Sequence, residues 1–519
     1  MMRRESLVAG LMLSILAAGC SFAPRQAQPV VVADIPDAYQ SAPDSGSYQP
    51  QQWWTVFNDP VMDRLVDTAL AANLDLREAV ARVEEVRQRY RIARADLVPS
   101  VGVTADATHS TSPANVGFGG EFGGGTIDRF DFTTYSASLG LSYEIDFWGR
   151  ANNDTKAAVS DFLATESDYR TARLAVISAT ISTYLEIVDL QRRVALTGLN
   201  VELLADRADL TDKRYFRGLT SSFELYTFRS LYRNTQAGLP VLESQLADAE
   251  GRLAVLLGRY AGSLDQLLEV GEGEGSPAVV LDPVPARLPA ALLEERPDVM
   301  AAWRRMEAAR FRIGARKAEL YPAIRLNASA GLQSSSVSNL FRVDQYFLNL
   351  LGGLTAPLLQ GGRLRANASA SEALFQQRAS AYVRTVLTAY SEVETSLQNL
   401  ENQKERYDFL QRQRTSAQGS VDFQLRSLER GVGRYIEYLD ARSNLVAVET
   451  NLSSSERALA EARLGVHRAL GGAWVLDDDL NETLQQQYRR LGDDLVPVEN
   501  SGDGIQESDV IGTNGDVGQ

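Results

Sequence analysis

Two acidic residues, Glu437 and Asp440, follow the closely spaced glycines Gly431 and Gly433 in the last third of the chain. If the residues after the glycines form a helix, a spacing of three places both carboxylates on the same face of it. Carboxylates accept hydrogen bonds and attract cations, so the pair is a candidate site. Most Asp and Glu side chains are exposed, however, and without a placement for the helix a solvated surface is the simpler interpretation.

Other patterns typical of catalytic or ligand-binding sites are missing from the sequence. The two histidines, His109 and His467, are too few and too isolated to indicate a zinc site. The sequence has no serine nucleophile elbow, Walker loop or metalloprotease helix. Residues 271–275 alternate Gly with Glu and would repel phosphate, so they are interpreted as a flexible acidic linker. We therefore expect no enzymatic activity, no cofactor and no bound metal ion.

The first residues have the layout of a secretory signal peptide. Two arginines precede an apolar stretch at 7–18, and small residues lead to Cys20. The tetrapeptide that ends at Cys20, Ala-Ala-Gly-Cys, resembles a bacterial lipobox, although Leu16 lies four positions before the cysteine instead of three. We predict that residues 1–19 are removed, that Cys20 carries an acyl anchor such as palmitate, and that 20–52 form a lipidated extension. The alternative is an ordinary signal peptide that contains a cysteine.

Composition restricts the function further. The formal net charge is −15 and the isoelectric point is near 4.9, whereas a phosphate backbone requires clustered Lys and Arg, so nucleic acid is excluded as a partner. Cys20 is the one cysteine, and no intramolecular disulfide can form. After the signal peptide there is no run of about 18 apolar residues, so no transmembrane helix is predicted and strands would have to build any membrane span.

An internal repeat runs through the chain at two fixed offsets. An offset of 223, as in 322 − 99 = 223, relates Asp75, Ala79, Arg82, Glu84, Arg87, Arg89, Leu97 and Pro99 to Asp298, Ala302, Arg305, Glu307, Arg310, Arg312, Leu320 and Pro322. An offset of 213, as in 431 − 218 = 213, relates Gly149, Arg150, Ala157, Phe162, Tyr169, Leu174, Gly218, Glu224 and Arg229 to Gly362, Arg363, Ala370, Phe375, Tyr382, Leu387, Gly431, Glu437 and Arg442. The surplus of the first half is expected in an exposed glycine-rich loop at 117–125.

Each half contains two segments in which apolar residues occupy every second position, as in half-buried strands. These segments are 101–107, 135–143, 324–332 and, less regularly, 348–356. Strands of about ten residues with one apolar and one polar face suit an outer-membrane barrel. They suit equally a soluble antiparallel sheet with one face on a core, so alternation alone leaves both interpretations open.

The segments after the strands favour the membrane interpretation. The chain runs without proline from Gly149 to Gly218 and from Gly362 to Gly431, since 218 − 149 = 69 and 431 − 362 = 69. At about 1.5 Å per residue, each segment makes roughly 100 Å of helix. Apolar residues recur in the second segment at steps of three, four and seven, as in coiled coils. Helix pairs of this length can cross a compartment and are not needed in a compact soluble domain.

These patterns predict a domain organisation with two structural repeats. The predicted order is a first repeat at 53–260 with a β-hairpin at 98–147 and a long helical hairpin at 149–260, a linker at 261–290, a second repeat at 291–472 with a β-hairpin at 322–358 and a long helical hairpin at 362–471, and an acidic, loosely ordered tail at 473–519. The repeats are expected to form one interlocked unit.

Short motifs along the chain carry a family resemblance. They are Trp53-Trp54 with Asn58-Asp59-Pro60, Ala-Leu-Ala-Ala-Asn-Leu-Asp-Leu-Arg at 69–77, Asp146-Phe147-Trp148-Gly149-Arg150, Glu295-Arg296-Pro297-Asp298-Val299, Ala-Pro-Leu-Leu-Gln-Gly-Gly-Arg at 356–363, and the run from Tyr435 to Asn444. In this order they resemble motifs of the TolC-like outer membrane efflux proteins, in the lipoprotein branch. The resemblance covers the chain from Cys20 to about Gly472.

The resemblance implies an α+β membrane protein with an internal two-fold repeat. Its homotrimer would share one outer-membrane β-barrel, with four strands per chain in contact with lipid, continued by a long periplasmic α-helical barrel. A periplasmic adaptor (membrane fusion) protein and an inner-membrane pump would dock to it. The implied function is a passive duct that exports small molecules, and the implied location is the outer membrane, with a lipid anchor.

The resemblance also changes the interpretation of the acidic pair. The gate carboxylates of the family fall on Glu437 and Asp440, at the closed end of the tunnel, where stacked rings of carboxylates would attract cations. Arg434, Tyr438 and Arg442 are expected to tie neighbouring helices together. At the equivalent places the first half has Glu224 and Thr227, so the acidic ring is only half duplicated.

Two alternatives to an efflux duct remain at this point. A type I secretion channel has the same fold, but the lipidated N-terminus disfavours it. A structural surface lipoprotein with a coiled-coil stalk is a different class of protein, and it would neither conduct nor contain a barrel. The alternating strands and the duplicated order of elements favour the duct.

Overall fold

The computed structural model describes residues 22–23, 53–113, 129–260, 262 and 296–472. Some predicted features lie outside these residues: the signal peptide at 1–19, Cys20, most of the extension at 20–52, the glycine-rich run at 117–125, all but one residue of the linker at 261–290, and the tail at 473–519.

The described residues form long helices and one antiparallel sheet. In chain order the elements are a 3-10 turn at Trp53–Phe57, helices α1 (Pro60–Ala72) and α2 (Leu74–Ala95), strands β1 (Ser100–Pro113) and β2 (Arg129–Ile145), helices α3 (Arg150–Phe216), α4 (Ser222–Leu256) and α5 (Pro297–Ala318), strands β3 (Ala323–Ser334) and β4 (Tyr346–Thr355), and helices α6 (Arg363–Glu429) and α7 (Tyr435–Ala469). Two short 3-10 turns, Val337–Asn339 and Val343–Gln345, lie between β3 and β4.

Corresponding helices of the two halves have equal lengths. Helices α3 and α6 each contain 67 residues, and α4 and α7 each contain 35. Their first residues differ by the second offset of the sequence, since 363 − 150 = 213 and 435 − 222 = 213. Helices α2 and α5 each contain 22 residues and follow the first offset, since 297 − 74 = 223. The element boundaries thus keep both offsets.

The four strands form a single sheet in the order β1-β2-β3-β4. One row across it pairs Val101 with Leu141, Leu141 with Ala328, and Ala328 with Leu350. Directly opposed side chains lie on the same face, so this row belongs to an apolar face, as the alternation indicated. The next row lies on the opposite face and contains small and polar residues: Gly102, Gly140, Ser329 and Asn349.

The main hydrophobic core lies where α1 and α2 pack on α3. The Asp59 carboxylate caps α1 by accepting the N–H groups of Val61 at 2.9 Å and Met62 at 3.1 Å. Its second oxygen accepts the hydroxyl of Tyr184 from α3 at 2.8 Å. The core includes the fully buried side chains of Met62, Leu65, Leu76, Ile181, Ile187 and Leu253. The Asp59 carboxylate therefore caps α1 and also links the start of α1 to α3.

Helix α3 contains a stretch that is long and apolar enough to cross a membrane, and it is the one helix of the described ranges with that property. The sequence pattern had predicted no such run. Because 61% of the stretch is buried inside the protein, packing against neighbouring helices accounts for its apolar composition.

We call the C-terminal ends of α4 and α7 the roots of the hairpins. At each root a backbone carbonyl oxygen accepts a hydrogen bond from a side chain, and the two side chains occupy equivalent positions of the repeat. The side-chain amide of Asn73 donates to the carbonyl oxygen of Leu256 at 2.9 Å. The guanidinium of Arg296 donates to the carbonyl oxygen of Ala469 at 2.7 Å. Since 296 − 73 = 223 and 469 − 256 = 213, these are the same contact in the two halves, made by different residue types.

Three ion pairs connect α3 to α5 through aspartates that lie seven residues apart on α3. The pairs are Asp154 with Arg316, Asp161 with Arg312, and Asp168 with Arg305. Burial raises the pKa of each of these aspartates, and the arginines act in the opposite direction. The aspartates belong to the first half and the arginines to the second, so the ladder holds the two halves of one chain together.

Candidate functional site

The second tip, residues 430–434, joins α6 to α7 through two glycines that serve different purposes. Gly431 has a φ of 73°, a left-handed conformation that disfavours a side chain. Gly433 approaches the end of α6 so closely that an added Cβ would lie 2.8 Å from the nitrogen of Leu428. The N–H of Gly433 donates to the carbonyl oxygen of Ser427 at 2.9 Å. The turn thereby provides a hydrogen-bond donor for a backbone carbonyl at the end of α6 and determines where α7 begins.

The first tip, residues 217–221, makes the corresponding turn with one glycine. Gly218 has a φ of 71°. The Ser221 hydroxyl oxygen caps α4 by accepting the N–H of Glu224 at 3.2 Å, and the Thr220 hydroxyl donates to the Glu224 carboxylate. The Glu224 side chain is therefore held at the N-terminus of α4.

Arg207, on α3, connects the two tips. Its Nε donates to Oδ1 of Asp440 on α7 at 3.0 Å, and its Nη2 lies 3.8 Å from Oε1 of Glu224 on α4. The guanidinium carbon lies 3.8 Å from the ring centre of Phe228, and Nη1 donates to the hydroxyl of Thr211 at 3.2 Å. The Arg207 side chain is 7% exposed, so solvent screens its side of these ion pairs weakly. One buried cation thus joins carboxylates from both hairpins.

Glu437 has a different environment from Asp440. Nε and Nη2 of Arg434 donate to Oε1 of Glu437 at 2.9 and 2.6 Å. Both residues belong to the start of α7, and both side chains are exposed, so the pair contributes little to stability. The two acids that the sequence pattern grouped together therefore have separate cationic partners, one local and one on α3.

Tyr438 packs behind the second tip in a small apolar cluster. The cluster contains Ala417 and Val421 from α6 together with Leu445 and Val448 from α7. The Tyr438 ring therefore stiffens its own hairpin at the point where the two helices enter the turn.

Tyr435 forms a second contact between the tips. Its ring stacks on that of Tyr438, with centroids 6.1 Å apart and planes inclined by 28°. Partial burial raises the pKa of the Tyr435 phenol, and the charge and hydrogen bond of Asp206 on α3 raise it further. Asp206 precedes Arg207, so adjacent residues of α3 contact α7.

Arg229 and Arg442 occupy equivalent positions but have different surroundings. Nε and Nη2 of Arg229 donate to the two carboxylate oxygens of Asp212 at 3.0 and 2.8 Å, which raises the pKa of Arg229. The residue equivalent to Asp212 is Leu425, since 425 − 212 = 213. Nε of Arg442 is buried and has no hydrogen-bond acceptor within the described part of the chain. Only the first hairpin is therefore tied together by this bidentate pair.

The predicted gate residues fall into three environments. They are Glu224 and Asp440 beside Arg207, Arg434 and Glu437 beside each other, and Tyr438 in the apolar cluster. Sequence reasoning did not find Arg207, because an arginine inside a helix of 67 residues has no local signal of its own. Only the packing of α3 against α7 identifies it.

The side chains at the tips provide ion pairs and hydrogen bonds rather than a ligand cage. Across the described ranges, no group of three or more His, Cys, Asp or Glu residues is placed to hold a metal ion. His467 lies at the root of the second hairpin and stacks on Trp53, with ring centroids 5.2 Å apart. Burial, assisted by the charge of Arg463, lowers the pKa of His467 to about 3, so its imidazole is neutral at physiological pH.

Comparison with known proteins identifies the family. The model of the outer membrane efflux protein family matches residues 65–259 and again residues 288–472. The pyoverdine export outer membrane protein OpmQ of Pseudomonas aeruginosa is 28% identical over 463 residues, which cover 89% of this chain and 96% of the relative. The outer membrane protein OprJ of the same organism is 29% identical over 470 residues, with 90% and 96% covered.

A solved structure shows the same fold. The outer membrane channel CmeC of Campylobacter jejuni superposes with a TM-score of 0.80 and covers 91% of this chain and 99% of that one, at 21% sequence identity. The two matched stretches of the family model begin 223 residues apart and end 213 residues apart, since 288 − 65 = 223 and 472 − 259 = 213. These are the offsets that relate the helices and tips described above. The chain therefore belongs to the outer membrane efflux protein family.

Proposed function

We propose that this efflux protein is the outer membrane channel of a tripartite system, a passive duct whose periplasmic end is closed at the two hairpin tips. The observation that carries the proposal is Arg207, a buried cation that holds Asp440 of one tip and Glu224 of the other. A contact that joins the two hairpins near their far ends is suited to a gate, because breaking it removes a tie that both tips share.

The proposed membrane portion is a β-barrel in contact with lipid, with four strands from each of three chains. The continuous apolar face of the sheet supports it: Leu348, Leu350 and Leu354 of β4 are each at least 70% exposed in the single chain. An acyl group on Cys20 would add a lipid anchor to the same membrane.

The proposed periplasmic portion is a tunnel made by the long helices. Helix α3 at 67 residues spans roughly 100 Å at about 1.5 Å per residue, which is long enough to carry the tips far from the sheet. A periplasmic adaptor and an inner-membrane pump would dock there and supply energy and substrate choice. The names of the relatives, one of which exports pyoverdine, support small molecules as cargo.

The gate carboxylates would act within this tunnel as ion-paired rings. Opening the tips would separate Asp440 from Arg207 on α3, whereas Glu437 would keep its local partner Arg434, so the charge of Asp440 would be exposed to the passage. Cations are therefore expected to pass the open tip more readily than anions.

The proposal is tested by conductance in planar bilayers. Purified protein should form channels, and the double variant Glu437→Ala with Asp440→Ala should conduct more or lose preference for cations. Unchanged conductance and selectivity would remove the gate assignment. Sensitivity to exported compounds after gene deletion, and copurification with an adaptor, would test the efflux role independently of the gate.

A further inference from the structure

A groove lies between α6 and α7 at the root of the second hairpin, with a volume of about 470 Å³. One apolar side chain that lines it, Leu387 of α6, is 42% exposed. Four hydroxyl side chains of α6 also line it: Thr388, Ser391, Thr395 and Ser396. The groove therefore offers both an apolar contact and several hydrogen-bonding groups to a segment that lies in it.

The lining of this groove carries a surplus of positive charge. Arg384 of α6 and Arg468 of α7 both line it and are exposed, and within the described ranges neither forms an ion pair. Glu392 is the one acid among the lining residues, and its Oε2 already accepts Nη2 of Arg296 at 2.8 Å. Two arginines are thus left to attract an acidic segment.

The first hairpin lacks these two charges at its own root. The offset of 213 relates Arg384 to Thr171 and Arg468 to Val255, since 384 − 213 = 171 and 468 − 213 = 255. The repeated helical framework therefore does not require arginine at either position. A partner that meets the second root alone would account for them.

An acidic segment continues the chain from the edge of this groove. The described part of the chain reaches Gly472, three residues after Ala469, which lines the groove. Residues 473–519 contain 11 Asp and Glu against two Arg, so their charge is 2 − 11 = −9 of the −15 of the whole chain. The match to the family model also stops at residue 472. The tail is therefore a strongly acidic addition to the framework that the family shares.

We propose that the tail docks back into this groove, with the aspartate run 477–479 beside Arg384 and Arg468 of the same chain. The run begins five residues after Gly472, since 477 − 472 = 5, and five extended residues span at most about 18 Å. The α6 side of the groove, from Arg384 to Ser396, is also about 18 Å long at 1.5 Å per residue. The run can therefore return to the groove without a long connection.

The residues beside the run suit the rest of the groove. Trp474, Val475 and Leu476 come before the aspartates, and Leu480 follows them. An apolar side chain from this set would cover Leu387 and remove its exposed area from water. The hydroxyls of α6 would donate to carboxylate or backbone oxygens of the tail. Charge, apolar contact and hydrogen bonding thus favour the same segment.

Tethering makes a contact of this kind effective. An exposed ion pair between arginine and a carboxylate contributes little by itself. A segment attached a few residues away, however, is present at an effective concentration in the millimolar range, and closing so short a loop costs little entropy. Weak pairs within one chain can therefore hold the tail in place, whereas the same peptide added in solution would bind poorly.

The acidic linker is the competing occupant, because Glu294 and Glu295 directly precede Arg296, which contacts Glu392. These two glutamates lie inside the second family match, 288–472, and so belong to the shared framework. The two groove arginines have no counterparts in the first half, and the tail lies beyond the family match. The tail therefore explains the arginines better than the linker does.

Photocross-linking of the full-length protein tests the proposal. Leu387 is replaced by p-benzoylphenylalanine, and the purified protein is irradiated and digested with trypsin. Tandem mass spectrometry should place the link within 474–480, and the product should keep the mass of one chain on a denaturing gel. A link to the linker peptide 288–296, a product with the mass of two chains, or no link to the tail would overturn the proposal.

Charge reversal shows whether the arginines hold the tail. Arg384→Glu with Arg468→Glu should lower the yield of this link at least several-fold, and reversing the run as well should restore most of it, with Asp477→Lys, Asp478→Lys and Asp479→Lys. Arg406→Glu is the matched control, because Arg406 is an exposed arginine of α6 outside the groove. An unchanged yield in the double variant, or no recovery on reversing the run, would contradict the charge pairing. Bilayer conductance tests the channel separately, since neither arginine belongs to the tips.

Discussion

The hairpin α3–α4 and the hairpin α6–α7 have helices of equal length, but different residues close their tips. The first tip has one left-handed glycine and a serine cap on α4. Arg229 of α4 also forms an ion pair with Asp212 of α3. The second tip has two constrained glycines and no side-chain cap on α7, and it has leucine where the first has Asp212. The first tip is therefore fixed by its own polar contacts, whereas the second is held through Asp206 and Arg207 of the first hairpin.

This difference indicates which part of the structure can move. A hairpin whose tip is clamped internally keeps its shape when a neighbour leaves. A hairpin whose tip depends on contacts to another element is released when those contacts break. We therefore expect the second hairpin to be the mobile one and the first to be the fixed support.

The largest effect is expected from removing the contact between the hairpins. Arg207→Ala leaves Asp440 and Glu224 without their shared cation, and repulsion between the carboxylates should favour the open tip. Conductance in planar bilayers should rise several-fold. Arg229→Ala is the matched control, because it breaks an arginine–carboxylate pair within the first hairpin alone. An equal rise in both variants would contradict the assignment of Arg207 as the link.

The roots of the hairpins allow a second comparison, in stability. Arg296 donates to Ala469 and also to the carboxylates of Asp298 and Glu392, whose hydrogen bonds outweigh burial and raise the pKa of the guanidinium. Charged hydrogen bonds contribute about 1.5–3 kcal/mol each, reduced here because the carboxylates are partly exposed. Arg296→Ala should therefore cost about 3 kcal/mol, measured by denaturant unfolding in detergent.

The control for that variant is the equivalent residue of the first half. Asn73→Ala removes the neutral contact to Leu256, which should cost about 1 kcal/mol, and also the cap on the N–H of Leu76 at the start of α2, which should cost about 1 kcal/mol more. A loss of only about 1 kcal/mol for Arg296→Ala would show that the additional carboxylates at the second root contribute nothing.

We expect the free energy of unfolding to depend on pH because of His467 at the second root. Its pKa is about 3 in the folded protein and 6.5 ordinarily, so the unfolded chain alone binds the proton between these values. Stability is complete above pH 6.5 and falls as the pH drops, by about 2 kcal/mol between pH 7 and 5. His467→Phe, which keeps an aromatic ring against Trp53, should show a correspondingly smaller loss in unfolding measurements at the two pH values. The same pH dependence in both proteins would contradict this role.

The last expected effect concerns the two glycines of the second tip. Gly433→Ala would push a Cβ to 2.8 Å from the backbone of α6 and should cost about 2 kcal/mol. Gly431→Ala meets open space but requires a left-handed alanine, with a cost of about 1 kcal/mol. Unfolding curves of the two variants measure the difference. A larger loss for Gly431→Ala would show that backbone conformation, not close packing, limits this turn.

The regular elements were predictable from the sequence because each rests on a local pattern. Period-two alternation identified the strands, and the glycines at 149, 218, 362 and 431 marked the ends of the long helices. Glycine is favoured at such ends because it adopts the left-handed conformation without strain. The offsets of the repeat predicted helices of equal length in the two halves.

The contacts between the halves were not predictable from one sequence. No local pattern states that β2 pairs with β3, or that Arg207 of α3 reaches Asp440 of α7. The paired residues of β2 and β3 are at least 179 positions apart (324 − 145 = 179) and Arg207 and Asp440 are 233 apart (440 − 207 = 233), so tertiary packing decides both contacts. The acidic pair illustrates the limit: helical spacing grouped Glu437 with Asp440, but their partners lie on different helices.

A double-mutant cycle on the tip contact tests the central claim most directly. Single-channel conductance would be measured for wild type, Arg207→Ala, Asp440→Ala and the combined variant. If the contact between these side chains closes the passage, each single variant conducts more than wild type, and the combined variant conducts no more than Arg207→Ala alone. Independent, multiplying effects of the two substitutions, or wild-type conductance in all three variants, would contradict the claim that this ion pair holds the tips closed.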